Sequence, residues 1–296
     1  MREIKVLRGR GANTNPNPRF DSWTRAREED GPCSDLPIEP NLVQTEVTVE
    51  TAKSALARNT SSDVPFDQSI NPYRGCEHGC SYCFSRPSHA YIGLSPGLDF
   101  ETKLFAKSNA AELLRGELNR KGYQPAVIGL GSNTDPYQPI EREHQITRKI
   151  LEVLEAHRHP VAITTKSSLV VRDADILARM AEQGLASVSL SVATLDSALA
   201  RKLEPRANRP AKRIEAIHRL SSLGIPCGVA VAPVIPALTD FDIENVLREA
   251  AAAGATSAGY VMLRLPLEVH DIFVMPRLQF FWTQIWGKTW VPNWSC

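Results

Sequence analysis

Three cysteines stand within one short stretch, Cys76-Glu77-His78-Gly79-Cys80-Ser81-Tyr82-Cys83, at the spacing C-x3-C-x2-C. Three thiolates on one tight loop hold three irons of a cubane [4Fe–4S] cluster and leave the fourth iron without a protein ligand. An electron-transfer ferredoxin supplies four cysteines, so the missing ligand points to a site where a substrate or cofactor binds iron. Gly75 and Gly79 let the backbone close around an inorganic core, and Tyr82 sets an aromatic wall beside the last cysteine. A second reading stays open: a structural zinc site of Cys76, Cys80, Cys83 and His78 in a module without catalysis. Zinc sites more often pair C-x2-C units from two distant loops, and no second unit is present, so the spacing favours the cluster.

Such a loop needs a frame, and the pattern from residue 63 onward predicts an α/β one. Residues 66–74 (FDQSINPYR) read as the first core strand, running directly into the cysteines. Further strands are expected at 102–106, 125–131, 161–165, 186–192, 227–234 and 257–263, and the apolar run PAVIGLG suits a strand buried on both faces. Helical spacing of apolar residues marks 109–119, 146–156, 174–183, 197–202, 211–223 and 243–253. Counting the cysteine-bearing strand and leaving out the short one at 102–106, this makes six βα repeats, fewer than the eight of a closed TIM barrel.

In parallel α/β folds ligands sit at the C-terminal ends of strands. Polar residues recur there: Ser132-Asn133-Thr134-Asp135 after the second core strand, Lys166-Ser167 after the third, and Ser189 with Ser191 at the fourth. Asp135-Pro136 would also suit a plain turn and helix cap. Glu204-Pro205-Arg206 falls between two helices, and Ala232-Pro233-Val234-Ile235-Pro236 ends the fifth strand as an apolar shelf for an adenine. Above one cysteine loop, these ends make a single cofactor site.

The cysteine spacing with an aromatic at Tyr82 resembles the cluster loop of the radical S-adenosylmethionine (SAM) superfamily. Residues 63–269, with NPYRGCEHGCSYCF, GSNTDPYQPIE, TTKS, LEPRA and VAPVIPALTD, resemble its spore photoproduct lyase-like group, often labelled "DNA repair photolyase". The resemblance implies a partial (β/α)6 TIM-like barrel, a [4Fe–4S] cluster on Cys76, Cys80 and Cys83, and SAM chelated at the open iron. It also implies reductive cleavage of SAM to a 5′-deoxyadenosyl radical that abstracts hydrogen, with a flavodoxin or ferredoxin as reductant. Thr134, Lys166 and Ser191 fall where the spore lyase contacts SAM; Asn133 and Asp135 flank them as cofactor-binding candidates, and Tyr82 is the catalytic candidate. Two positions depart from that group: Phe84 stands where the spore lyase has a relay tyrosine, and Ser132 where it has a hydrogen-donating cysteine. Thymine-dimer repair is therefore not expected, and the substrate class stays open between a nucleic-acid base and a protein or small molecule.

Composition bounds the rest. The chain has 296 residues, 43% hydrophobic and 23% charged, with a net charge of +1 that gives no whole-protein attraction to nucleic acid. It lacks a run of 18 apolar residues or a signal-peptide core, which predicts a cytoplasmic protein. Cys33, Cys227 and Cys296 are scattered and read as ordinary thiols. Residues 1–62 read as an irregular arm: seven Arg or Lys against two acids up to Arg27, then Glu28, Glu29 and Asp30, which suits a surface-wrapping segment. Within it, 43–56 is expected as a short strand leading into a helical turn. Residues 270–296 carry Trp282, Trp286, Trp290 and Trp294 and have no acid after Asp271, a composition foreign to the rest that suggests a frameshift or truncation.

Overall fold

The computed structural model describes residues 9–21, 43–58 and 66–273. The acidic run after Arg27, Cys33, the tryptophan-rich stretch and Cys296 lie outside the described residues.

The described residues build two sheets. In order, the elements are β1 (Glu46–Glu50), β2 (Leu56–Arg58), β3 (Gln68–Ile70), β4 (Tyr73–Arg74), a 3-10 helix (Arg86–Ile92), α1 (Asp99–Thr102), β5 (Lys103–Lys107) and α2 (Ala110–Leu118). Then come β6 (Ile128–Leu130), α3 (Glu141–His144), α4 (Ile146–Ala156), β7 (Val161–Thr165), α5 (Ala174–Ala181) and β8 (Ala186–Ser191). The last are α6 (Ser197–Leu203), α7 (Pro210–Ser221), β9 (Cys227–Val234), α8 (Ile243–Ala252) and β10 (Ser257–Met262).

The large sheet has the order β10-β9-β8-β7-β6-β3-β2. Its six strands from β3 to β10 run parallel, and β2 pairs antiparallel at the β3 edge. This is the expected six-strand array with an added edge strand. Sequential parallel order puts every C-terminal strand end on one rim: Ile70 is opposite Leu130, Leu130 opposite Ile163, and Ser191 opposite Ala230. The core lies where α4, α5 and α7 cover the sheet. Ile150, Leu151, Leu177, Ile217 and Leu220 are buried there with Leu130, Ile163, Val188 and Val229 from the strands. At the far edge β10 is exposed along its whole length.

Two expectations need correction. Residues 66–74 are not one strand. The ladder stops after Ile70 because Pro72 has no N–H to donate, and Tyr73–Arg74 then pairs antiparallel with β5 in a small second sheet, β1-β5-β4. The helical turn expected near Leu56 is instead strand β2, since Leu56, Ala57 and Arg58 pair with Ile70, Ser69 and Gln68. Both arm strands therefore join the sheets, β1 pairing in parallel with β5. Among the described residues no helix is long and apolar enough to cross a membrane.

Candidate active site at the rim of the parallel sheet

The cysteine loop leaves the small sheet after β4 and is fastened at almost every residue. Cys76 N donates to Phe100 O (2.9 Å), Ser81 N to Leu203 O (3.0 Å) and Arg206 N to His78 O (3.2 Å). Gln138, buried after β6, straddles the loop entrance: its Nε2 donates to Gly75 O (3.0 Å) and its Oε1 accepts from Glu77 N (2.9 Å). Cys76 and Cys80 are buried and Cys83 is half-buried.

Burial pushes the thiols of Cys76 and Cys80 well above the ordinary cysteine range. For Cys76, Asp135 and the neighbouring cysteines add to the effect; for Cys80, the Glu204 carboxylate raises the thiol further, while Lys166 and Arg213 oppose it. Two neighbouring buried thiols that resist ionisation, Cys76 and Cys80, need a compensating positive centre to become thiolates, as a metal supplies. His78, the fourth ligand in the zinc reading, has its Nδ1 3.3 Å from Asp135 Oδ2. Among the described residues no three His, Cys, Asp or Glu side chains converge as ligands of one ion. A cubane binds each thiolate to a different iron, so the donor set fits a polynuclear centre better than a single zinc.

Lys166 follows β7 and reaches toward the loop. Its Nζ donates to Ser191 Oγ (2.5 Å) and Ala232 O (3.2 Å), lies 3.2 Å from Glu204 Oε1, and sits 5.7 Å from the Tyr82 ring centroid. Glu204 is the hub. Its carboxylate also accepts from the Tyr82 hydroxyl and from Arg213, which in turn donates to Ser191 O (2.7 Å) and Asn208 O (2.8 Å). Burial alone would raise the Glu204 carboxyl, but the Arg213 and Lys166 charges outweigh it and hold it at about 2. Burial, reinforced by the Glu204 charge, drives the Tyr82 phenol far above its ordinary value.

The loop after β6 places the remaining expected residues. Asp135 accepts from Thr165 Oγ1 (2.6 Å), Lys166 N (2.7 Å) and Tyr137 N (2.8 Å). Burial opposes its ionisation, yet His78 and these donors hold it at about 2. Thr134 is buried and donates to Tyr73 O (3.0 Å). Asn133 is half-buried, and its N–H donates to Asn71 Oδ1 (3.1 Å). Lys166, Ser191 and Tyr82 thus form one constellation, whereas Thr134 and Asp135 direct their polar atoms to protein partners. Buried Arg213 and Gln138 and half-buried Asn208 were missed, being polar residues on elements that read as plain helix or turn. The only sequence signal was the i, i+9 spacing of Glu204 and Arg213 around a proline-bearing loop, which is weak.

A partial parallel βα array with its polar residues gathered on one rim above a cysteine loop defines a class of cofactor enzymes. Residues 70–250 match the model of the Radical SAM superfamily, and the chain belongs to that family. It is 40% identical over 216 residues to uncharacterized proteins of Mycobacterium bovis (strain ATCC BAA-935 / AF2122/97) and Mycobacterium tuberculosis (strain ATCC 25618 / H37Rv), covering 72% of this chain. The matched part spans 64% of the length of these mycobacterial relatives. A protein of Methanocaldococcus jannaschii is 30% identical over 180 residues, 61% of this chain and 64% of that one. Among solved structures, spore photoproduct lyase complexed with dinucleoside spore photoproduct superposes with a TM-score of 0.61 at 14% identity, covering 79% of this chain and 66% of that chain. A variant of the same lyase with bound AdoMet and dinucleoside spore photoproduct gives 0.60 at 14%, covering 77% and 65%. The shared feature is the fold.

Proposed function

We propose that this chain holds a [4Fe–4S] cluster on Cys76, Cys80 and Cys83, binds SAM at the open iron, and abstracts hydrogen from its substrate with the radical so made. The observation that carries this reading is the meeting of Lys166 and Ser191 with the cysteine loop across Tyr82, on the rim where all parallel strands end. When bound, the cluster and SAM together supply one-electron chemistry that yields methionine and a 5′-deoxyadenosyl radical. Lys166 places its ammonium for the methionyl carboxylate, with Ser191 beside it as a second hydroxyl contact. Glu204 and Arg213 keep that lysine in one pose, and the Tyr82 ring stands beside it while its hydroxyl donates to Glu204. Asn133, Thr134 and Asp135 shape the facing loop. Ile235, buried after β9, belongs to the apolar shelf for the adenine.

A small reductant protein such as flavodoxin or ferredoxin would deliver the electron, in a reducing compartment such as the cytoplasm. The spore lyase is solved with a dinucleoside, and we carry its substrate class over as a nucleic-acid base. Phe84, 61% exposed next to Cys83, gives that base a ring to stack on.

Anaerobic reconstitution with iron and sulfide tests the proposal. The chain should turn brown, bind four irons per chain as a cubane does, and release 5′-deoxyadenosine when given SAM and dithionite. Cys76→Ala, Cys80→Ala and Cys83→Ala should each lose the cluster, and Cys227→Ala should keep it. A colourless zinc protein, or iron loss on changing Cys227, would overturn the assignment. Products formed only on a protein or small molecule would keep the radical chemistry and reject the base.

A further inference from the structure

A second buried polar cluster presses on the cysteine loop at Gly79 and has no part in the constellation around Lys166. Arg86 and Glu101 are both fully buried and paired at 2.5 Å. The Glu101 carboxylate also accepts the N–H groups of Gly11 (2.9 Å) and Ala12 (2.8 Å). Arg86 Nε donates to the carbonyl of Cys80 itself (2.9 Å), and its Nη1 donates to Gly97 O (2.9 Å). Contacts around Gly79 leave no free space. A Cβ on Gly79, whose φ is +65°, would lie 2.6 Å from Glu101 Oε2, and a Cβ on Gly11 would lie 1.6 Å from Gly79 O.

The arm continues from there as a strap. Thr14 O accepts Leu98 N (3.2 Å), and Asn15 exchanges two hydrogen bonds with Asp99 (3.0 and 2.9 Å). Ser95 Oγ donates to Pro16 O (2.6 Å). Arg19 then reaches Pro87 O and Glu268, each at 3.3 Å. At the other end buried Arg10 donates to Thr45 Oγ1 (3.0 Å), and Thr45 donates to Glu77 Oε1 (2.8 Å), the residue after Cys76. The strap thus fixes the loop at Glu77, Gly79 and Cys80.

Stability alone gives no reason for this arrangement. Well-packed apolar residues in place of a buried Arg–Glu pair are commonly as stable or more so, because the charges lose their hydration. What the ions add is direction: Glu101 accepts N–H groups only from a strap in one register, and Arg86 passes that register to the Cys80 carbonyl.

We propose that residues 10–19 are a clamp on the cysteine loop, with Gly11 and Glu101 as positioning residues that set the backbone of Gly79 and Cys80 through direct contact and through Arg86. The role rests on the proposed function only in giving the loop a cluster to hold; the clamping itself concerns the protein alone. With the strap docked, the loop backbone at Gly79 and Cys80 has one conformation and is shielded from solvent. With the strap displaced, Glu101 loses two donors, and both the thiols and any bound cluster open to water and oxygen.

The test compares Gly11→Ala, Asn15→Ala and Asn17→Ala with the unmodified chain. Asn17 is an exposed strap residue, so its variant is the control. In the metal-free protein, alkylation of Cys80 followed by mass spectrometry should be about tenfold faster in Gly11→Ala, because a forced overlap of this kind shifts local opening by that order. Asn15→Ala should show a smaller acceleration and Asn17→Ala none. In the reconstituted protein, Gly11→Ala should shift the electron paramagnetic resonance spectrum of the reduced cluster and bleach faster in air, a signature that a general loss of stability would not give. Circular dichroism melts identify a Gly11 variant that fails to fold, in which case the Asn15 variant decides. Unchanged alkylation and an unchanged spectrum in Gly11→Ala, or in Asn15→Ala where it decides, would overturn the clamp. A chain that takes up no cluster but alkylates faster would instead overturn the proposed function and leave the clamp standing.

Discussion

Removing the Glu204 carboxylate should be the most informative single change at the site. Glu204→Ala leaves the guanidinium of Arg213, whose side chain is 1% exposed, without its counter-charge. It also strips Lys166 and the Tyr82 hydroxyl of a shared partner. Breaking a buried pair by deleting one member costs about 3–5 kcal/mol. Arg213 keeps its bonds to Ser191 O and Asn208 O, which places the expected loss at the lower end, about 3 kcal/mol. The depressed Glu204 carboxyl, which reflects the same Arg213 and Lys166 charges, points the same way. An ordinary glutamate carboxyl titrates at 4.5 and Glu204 at about 2, a gap equivalent to about 3 kcal/mol. Because the folded value is depressed, this contribution is fully present above pH 4.5 and fades as pH falls through 2. Thermal and urea unfolding of the metal-free chain at neutral pH should therefore show a melting point lowered by roughly 5–10 °C. The difference between variant and parent should shrink in acid below pH 4.5. A loss under about 1 kcal/mol at neutral pH, or a difference that does not narrow in acid, would show that Glu204 is not the charged hub of this network.

Lys166→Ala should weaken SAM binding about tenfold or more, measured by equilibrium dialysis, with iron content unchanged; unaltered affinity would remove Lys166 from the site. Asp135→Asn turns an acceptor oxygen into a donor facing the N–H of Lys166 or Tyr137, and should cost about 2 kcal/mol in urea unfolding. That stabilisation is present above pH 3.8 and lost as pH falls through about 2, so a variant matching its parent at neutral pH would refute the role. With Phe84 and Ser132 in place of a relay tyrosine and cysteine, purified enzyme with SAM and reductant should release 5′-deoxyadenosine slowly and leave spore photoproduct unrepaired. Efficient repair, followed by liquid chromatography, would contradict the reading of those two positions.

What the sequence disclosed follows from how information is distributed along a chain. The three cysteines are adjacent in sequence, so their spacing was legible at once. The parallel strands from β6 to β9 show themselves as short, largely apolar runs because helices or core cover both faces. Lys166 and Ser191 come together because neighbouring parallel strands carry them to the same rim, an inference topology alone permits. The small sheet was not legible although a strand was expected at β5, since β1 and β5 are separated by a long stretch of chain and β1 buries none of its residues fully. Asn71-Pro72 looked like part of one strand because the apolar residues on either side belong to two different sheets. Buried carboxylates were the hardest to see. Glu101 meets Gly11 across 90 residues, Glu77 meets Arg206 across 129, and no local signal marks a charge as internal. Glu141, which accepts from Tyr73, Thr147 and Arg172, reads in sequence as an ordinary first-turn acid of α3.

The fastening of the cysteine loop bears on how cheaply a cluster held there would exchange an electron. Redox centres react slowly when ligands and surrounding dipoles must rearrange each time the charge changes. Here Cys76 N, Ser81 N and the carbonyls of Gly75, His78 and Cys80 are bound to Phe100, Leu203, Gln138, Arg206 and Arg86. Dipoles held by partners in three separate parts of the chain cannot swing to follow a passing charge. A cluster held on this loop would therefore meet little rearrangement of the protein around it when its charge changes, which lowers the barrier to reduction.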